Sequence, residues 1–437
     1  MLSLFALPAA AKTGLSQARA FVPREVIVKV DGGGPARAVK LPEGVTVREG
    51  TERLRENDRV QYVAPNYIAT ASAAPVPFAL PNDTGGIEGT AEASALGDWT
   101  LKQWNFLPWT TRAGRAPTSP GGIDAVGAWE HLAAVGRPGG AGVVVAVLDT
   151  GIAYRNKGSR FLRSPDFGPG QFVKGYDFVE DDRVPLDENG HGTHVAGTIA
   201  EKTGNGLGLT GIAYRAKLMP VRVLDAHGRG NAAAIAKGIR FAVASGAQVI
   251  NMSFNFGCGK RVPGVDEALR EAYRAGVVVV ASVGNLGAET CVAPPATGPR
   301  VIGVGGSTEG GCLGSYSLAG KYVDLLAPGG GTPAASCASI SARPIYQVTL
   351  RPGSTDAFGI PTNYIGTSMA AAHVSGGAAL VLASGLIKAK PKTKARADAV
   401  SRRLTGTARS LGLTSLQQGR GLLDLGAATA PASKRRR

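Results

Sequence analysis

The chain has 437 residues, 44% of them hydrophobic and 18% charged, with a formal charge of +16. That length accommodates one large domain and a smaller one, and the apolar content excludes wholesale disorder. No run of 18 apolar residues occurs, which excludes a hydrophobic transmembrane helix. The basic residues are scattered without aromatic clusters, which argues against a nucleic-acid partner.

Taken in chain order, residues 1–21 read as a signal-like segment. Leu2-Ser3-Leu4-Phe5-Ala6-Leu7 is followed by small residues, but no basic stretch precedes it, which points to a start further upstream. Residues 22–70 read as a small α+β unit. It has a strand at 25–30, a charged helical stretch at 52–56 and a second strand at 59–68. Residues 71–120, rich in Ala, Pro, Gly, Thr and Asp, read as a linker with a docking segment at 101–106. From 121 to 428, continuous apolar runs at 143–148, 218–224, 249–252, 277–281, 301–304 and 322–326 predict strands buried on both faces. Between two of them, Val265, Ala268, Leu269, Ala272 and Tyr273 share one helical face. The expected fold class is therefore α/β, a parallel sheet with helices on both faces and ligands at the carboxyl ends of its strands. Residues 429–437 form a basic tail ending in Lys434-Arg435-Arg436-Arg437.

Several residues at element ends carry chemistry. Asp149 closes the first apolar strand, where a carboxylate can orient an imidazole, although one such Asp alone is more often a turn residue. His191 opens the small-residue helix His191-Gly192-Thr193-His194-Val195-Ala196-Gly197. No Glu follows His191 as the zinc-protease helix motif requires, so His194 reads as structural. Ser368, in Gly366-Thr367-Ser368-Met369-Ala370, stands where a helix dipole and backbone N–H groups favour an oxyanion. Asn285 follows another apolar strand and can donate its amide to that oxyanion.

Four blocks, Val147-Leu148-Asp149-Thr150-Gly151, His191 to Gly197, Gly284-Asn285 and Gly366 to Ala370, resemble the signature blocks of the subtilisin (subtilase) family and occur in its order. The resemblance implies a secreted serine endopeptidase acting on protein or peptide substrates through an acyl-enzyme on Ser368. His191 would be the base, Asp149 its orienting carboxylate and Asn285 an oxyanion donor. It further implies that 22–70 is an inhibitory propeptide, removed by a cut between 69 and 110. Ser253, Phe254 and Asn255 with Ala281, Ser282, Val283 and Gly284 would line the primary specificity pocket. Asn255 there departs from the family's glycine and narrows or polarises it.

No cofactor is expected for the chemistry, but structural calcium is. Asp166 and Asn205, with the Leu207 and Leu209 carbonyls, resemble the family's strong calcium site. Asp177, Glu180 and Asp182 resemble a calcium loop of one of its branches, the bland alternative for both being solvated loops. The four cysteines allow three pairings, of which Cys258 with Cys291 and Cys312 with Cys337 is expected, in an oxidising compartment. A stretch at 330–360 reads as an insertion forming a rim loop held by Cys337. The protein is expected to act as a monomer. The alternative reading is a catalytically inactive binding or scaffold protein on the same fold.

Overall fold

The computed structural model describes residues 21–32, 36–67, 80–87, 98–111, 116–287 and 291–431. Nearly all of the signal-like segment and the four-residue basic run lie outside them. The chain divides into two compact units, 1–74 and 75–437.

In the smaller unit, β1 (Phe21–Val30), β2 (Arg37–Lys40), α1 (Val47–Arg55) and β3 (Val60–Tyr67) give an antiparallel sheet of order β2-β1-β3 with one helix. Alternation puts Val26 and Val28 on the buried side of β1, where they pack with Leu41, Val47 and Val63. The helix starts earlier than its charged stretch suggested. Thr46 caps it by accepting from the Glu49 amide, and Glu49 accepts in return from the Thr46 amide. The short edge strand β2 was not expected, because Arg37-Ala38-Val39-Lys40 has too little apolar content to read as a strand.

The larger unit runs α2 (Trp99–Lys102), α3 (Ala125–Ala134), β4 (Val144–Asp149), β5 (Tyr176–Asp177), α4 (His191–Ala200), β6 (Lys217–Arg222), α5 (Ala232–Ala244), β7 (Val249–Met252), α6 (Pro263–Arg274), β8 (Val278–Ser282), β9 (Val301–Ser307) and β10 (Leu325–Pro328). It continues with β11 (Thr349–Leu350), β12 (Phe358–Gly359), α7 (Thr367–Ala383), α8 (Lys394–Gly406), α9 (Ser415–Gln418) and α10 (Leu425–Thr429). Strands β4 to β10 form one seven-stranded sheet of order β10-β9-β8-β7-β4-β6-β5, parallel at every junction. Each of the six apolar runs became a strand of this sheet, within a few residues of its expected ends. Helices α4 and α7 pack together as one layer, and α5 and α6 as another. All of α7 is buried apart from Ser368, which suits its run of Ala, Gly and Val side chains. On α6 the apolar face is buried, while Glu267 and Glu271 reach Arg240 of α5 at 3.2 and 2.8 Å.

The linker assigned to 71–120 needs correction. Its described parts belong to the larger unit, and Trp99, Trp104 and Phe106 lie within the main core. Trp99 donates its indole N–H to Pro81 O at 3.0 Å and Trp104 to Pro344 O at 3.1 Å, while Gln103 exchanges two bonds with the Thr210 backbone. A segment poor in periodicity can still be core when a few large aromatics supply the buried area. The insertion is likewise only partly a rim loop. Ile345, Gln347, Val348, Thr349 and Leu350 are buried, and β11 packs against α4. Both expected disulfides form, Cys258–Cys291 and Cys312–Cys337, with Cα atoms 5.8 and 6.1 Å apart. No described helix is long and apolar enough to cross a membrane.

Candidate active site

Parallel strands finish at one edge, and β4 delivers Asp149 there. Its carbonyl accepts from Val223 and Leu224 just beyond β6, at 2.9 and 3.1 Å, and its side chain is fully buried. Asp149 Oδ1 lies 2.7 Å from His191 Nδ1 and also accepts from the Thr150 amide at 2.8 Å. His191 sits here because α4 can start close against β4. A Cβ at Gly192 would collide with the Gly151 carbonyl oxygen, so only glycine fits. The helix start is anchored by Asp187, a buried carboxylate that sequence reasoning missed. It accepts from the amides of Asn189, Gly190 and Thr193 and from the hydroxyls of Thr150 and Thr193, at 2.6 to 3.0 Å.

Burial alone would pull the His191 pKa down. The negative charge and hydrogen bond of Asp149, with the charge of Asp187 behind, outweigh it and raise the net value above the ordinary one. The other two buried histidines have no such partner. His194 falls to about 3 and His373 to about 4, both mainly by burial, so both are neutral near pH 7. His194 Nε2 lies 3.1 Å from Ile345 O, and its ring stacks on Tyr364 at 4.0 Å between centroids. His194 is therefore a packed structural residue, as its motif context implied.

Ser368 lies in the first turn of α7. Its Oγ donates to Ser253 O at 2.9 Å, and Ser253 Oγ donates back to Ser368 O at 2.8 Å, joining the helix start to the end of β7. Asn285 stands beside it. Its Oδ1 accepts from both the Thr367 amide at 2.9 Å and the Thr367 hydroxyl at 2.8 Å. With the oxygen so engaged, the Asn285 NH₂ group is left to serve as donor near Gly366. Thr367 reads in the sequence only as a motif spacer, yet it sets which way this amide faces.

Because β7 and β8 pair in parallel with Met252 beside Ala281, the segments beyond them run side by side. Ser253, Phe254 and Asn255 therefore leave the end of β7 alongside Ser282, Val283 and Gly284 at the end of β8. Asn255 is exposed, and its Nδ2 lies 3.3 Å from where a Cβ on Gly284 would stand. Ser282 Oγ is buried without a hydrogen-bond partner among the described residues.

The two expected calcium sets differ in fit. Asp177 is committed elsewhere. It pairs with the buried Arg222 guanidinium at 3.0 Å and accepts from the Val179 and Glu180 amides, while Asp182 accepts from Val184. Arg222 already supplies the cation, so Asp177, Glu180 and Asp182 do not assemble a second site. In the other set, Asp166 accepts from Asn205 Nδ2 at 2.8 Å and from the Leu209 amide at 2.9 Å, while Leu207 approaches Asn205 Oδ1 through its amide. Two unforeseen carboxylates adjoin them. Asp83 accepts from Gly204 and Asn205, and Glu201 is fully buried with neither oxygen hydrogen-bonded among the described residues. Burial raises Asp83 to about 6, Asp166 to about 8 and Glu201 well above its usual value, with the charge of Asp83 adding to the effect at Asp166 and the charges of Asp166 and Asp83 at Glu201. No group of three or more His, Cys, Asp or Glu residues among the described residues is arranged as a ready metal site. An under-satisfied acidic pocket of this kind nevertheless fits a hard cation that also draws on carbonyl oxygens.

Comparison with known proteins agrees with this architecture. Residues 140–421 match the profile of the subtilase family. The chain is 38% identical to a thermophilic serine proteinase of Bacillus sp. (strain AK1) over 56% of this chain and 54% of the relative. It is 34% identical to thermitase of Thermoactinomyces vulgaris, over 61% and 84% respectively. The chain thus spans about half the length of the first and most of the second. Among solved structures, a protease from Pseudoalteromonas arctica superposes with a TM-score of 0.61 at 30% identity, over 80% of this chain and 98% of that one.

Three outcomes follow from the geometry. The raised His191 pKa means that its neutral imidazole is lost as pH falls through a value above the usual 6.5. Asp149→Asn removes the main raising cause, so the acid limb of kcat/KM on a chromogenic peptide should move to lower pH while kcat drops on the order of 10⁴-fold. An unmoved limb would assign the titration to another group. Asn285→Ala should cost roughly 10²–10³-fold in kcat, the magnitude known for loss of one such donor in a subtilisin, with KM little changed. Thr367→Val, which removes one of the two bonds that hold Asn285 Oδ1, should lower kcat by a smaller factor of about 10, and equal KM and kcat effects would refute a purely orienting role.

Proposed function

The chain belongs to the subtilase family of serine endopeptidases, and on that premise we propose that it is a secreted, self-processing enzyme that cleaves proteins through an acyl-enzyme on Ser368. The observation that carries the reading is the Asn285 amide locked by Thr367 beside Ser368, at the edge that also holds the His191–Asp149 pair. An extended substrate adds as a strand beside Ser253. The Ser368 hydroxyl turns from Ser253 O toward His191 Nε2, gives up its proton there and attacks the scissile carbonyl carbon. The oxyanion that forms is held by the Asn285 amide and the backbone N–H at the start of α7. His191, now protonated and stabilised by Asp149, protonates the departing amine. Water then reverses the sequence on the acyl-enzyme.

The smaller unit is proposed to be the propeptide. Its own core of Val26, Val28, Leu41, Val47 and Val63 supports a unit that can leave intact. A cut that spares the larger unit falls before residue 80, because Asp83 already bonds the Gly204 and Asn205 backbone. The two disulfides support an oxidising, extracellular setting. The mature enzyme is proposed to act as a monomer.

Intact mass with a fluorophosphonate probe tests the central reading. Wild type should be shortened and labelled, and Ser368→Ala full-length and unlabelled. Two full-length, unlabelled proteins would instead favour an inactive scaffold. Calcium is proposed to be held by Asp166, Asn205, Asp83 and Glu201 with nearby carbonyls, where it supplies charge neutralisation to the buried carboxylates. In the Ser368→Ala background, calcium about a hundredfold above its Kd should raise Tm by roughly 3–5 °C. Adding Glu201→Gln should remove much of that increment, and a Tm indifferent to calcium in both proteins would sink the assignment.

A further inference from the structure

A second concave site lies away from the triad, on the opposite edge of the sheet from β10. Edge strand β5, the loop after it and the outer face of α5 enclose a surface cavity of about 630 Å³. That volume is within the range of small-molecule pockets. Its floor is aromatic. Tyr176, Phe178 and Phe241 form a mutual triangle with centroids 4.7, 5.7 and 5.9 Å apart, each ring only partly buried. Three cations line it, Lys174, Arg183 and Lys237, all exposed, and none has an ion-pair or side-chain hydrogen-bond partner among the described residues.

The remaining charges do not cancel them. Arg240 also borders the cavity but is held by Glu267 and Glu271. The one lining carboxylate, Asp181, accepts from the Tyr176 hydroxyl at 3.0 Å. Three unpaired cations thus face a single carboxylate over an apolar, π-rich floor. An exposed aromatic cluster leaves buried-type surface in water, and unpaired cations around it favour an anion once that surface is covered. A neutral apolar ligand would leave the charges unanswered, and a simple inorganic anion would leave the rings bare.

We propose that this cavity is a binding site for an aromatic carboxylate, with the ring seated on Tyr176, Phe178 and Phe241 and the anionic group among Lys174, Arg183 and Lys237. The same chemistry is offered by a free aryl acid and by a peptide ending in an aromatic residue with its carboxylate free. The site is independent of the peptidase reading, since none of its residues belongs to the triad or the cleft walls.

N-acetyl-tryptophan titrated by calorimetry into the full-length Ser368→Ala protein tests it directly. Saturable binding is expected, weakened at least tenfold by the neutral N-acetyl-tryptophanamide and at least tenfold by the double charge reversal Lys174→Glu/Lys237→Glu. Both lysines are exposed, so the variant should keep the parent's circular dichroism and Tm; Lys174→Gln/Lys237→Gln, expected to weaken binding at least fivefold, replaces it if it does not. A short peptide ending in tryptophan, compared as free acid and as amide, separates the two sources. Preference for the peptide acid over N-acetyl-tryptophan names a chain terminus, and the reverse names a free acid. Absence of saturable binding, equal binding of acid and amide, or affinity unchanged by the lysine variants each overturns the proposal, the last by placing the ligand elsewhere, such as the catalytic cleft.

Discussion

The parallel course of β4, β7 and β8 governs the site. Strands that run the same way end at the same edge, so the residues just past them, Asp149, Ser253 and Asn285, come together although more than a hundred residues separate the first from the others. The chain passes through α5 between β6 and β7 and through α6 between β7 and β8, while α4 and α7 both start at that edge with their amide ends toward the reacting atoms. Small residues make the approach possible. Gly192 permits α4 to touch the Gly151 carbonyl, and the Ala-rich α7 lies buried over the central strands. A bulkier side chain at either place would move a reacting group by more than a hydrogen bond tolerates.

Charge is then allotted by burial. The buried His194 and His373 and the partly buried His191 all lose solvation, and only His191 is pushed toward its protonated form, because only it meets a carboxylate. Asp187 reinforces that bias from behind the helix start while holding five donors. A carboxylate with so many donors stays fixed in position even though burial raises its pKa. Arg222 follows the same logic with the sign reversed, its guanidinium buried between Asp177 and Glu188 at 3.0 and 2.8 Å. Where an internal cation is present the acidic loop is satisfied. Where none is present, at Asp83, Asp166 and Glu201, the carboxylates are pushed toward neutrality.

The sheet was legible because strands buried on both faces must be continuously apolar, and Asp149, His191, Asn285 and Ser368 stood at recognisable ends. What stayed hidden depends on tertiary partners. Glu201 closes a small-residue helix and reads as a solvated cap, and only the fold shows it buried beside Asp166. Trp104 and Phe106 fall in the docking segment expected at 101–106, whereas Trp99 lies outside it and has no periodicity to announce its burial. Asp177 offered the right oxygen chemistry for calcium, but its partner Arg222 lies 45 residues away on a different strand. Residue type announced the possible chemistry, and the pairing of distant side chains decided which of it is realised.

The segment at 330–360 reaches the base-bearing helix through structural contacts. The insertion supplies Ile345 O to His194 and the Thr349 hydroxyl to Gly190 O at 2.5 Å, bracketing the first turn of α4. Tyr364, four residues before Ser368, stacks on His194 from the other chain segment. Consequently the nucleophile loop, the insertion and the base-bearing helix share one packed contact. A change in loop length there would be felt at His191 through His194 and Gly190, without altering any group that touches substrate. That coupling gives the loop a positioning role, and it ties the orientation of the base to residues that a comparison of catalytic motifs alone would pass over.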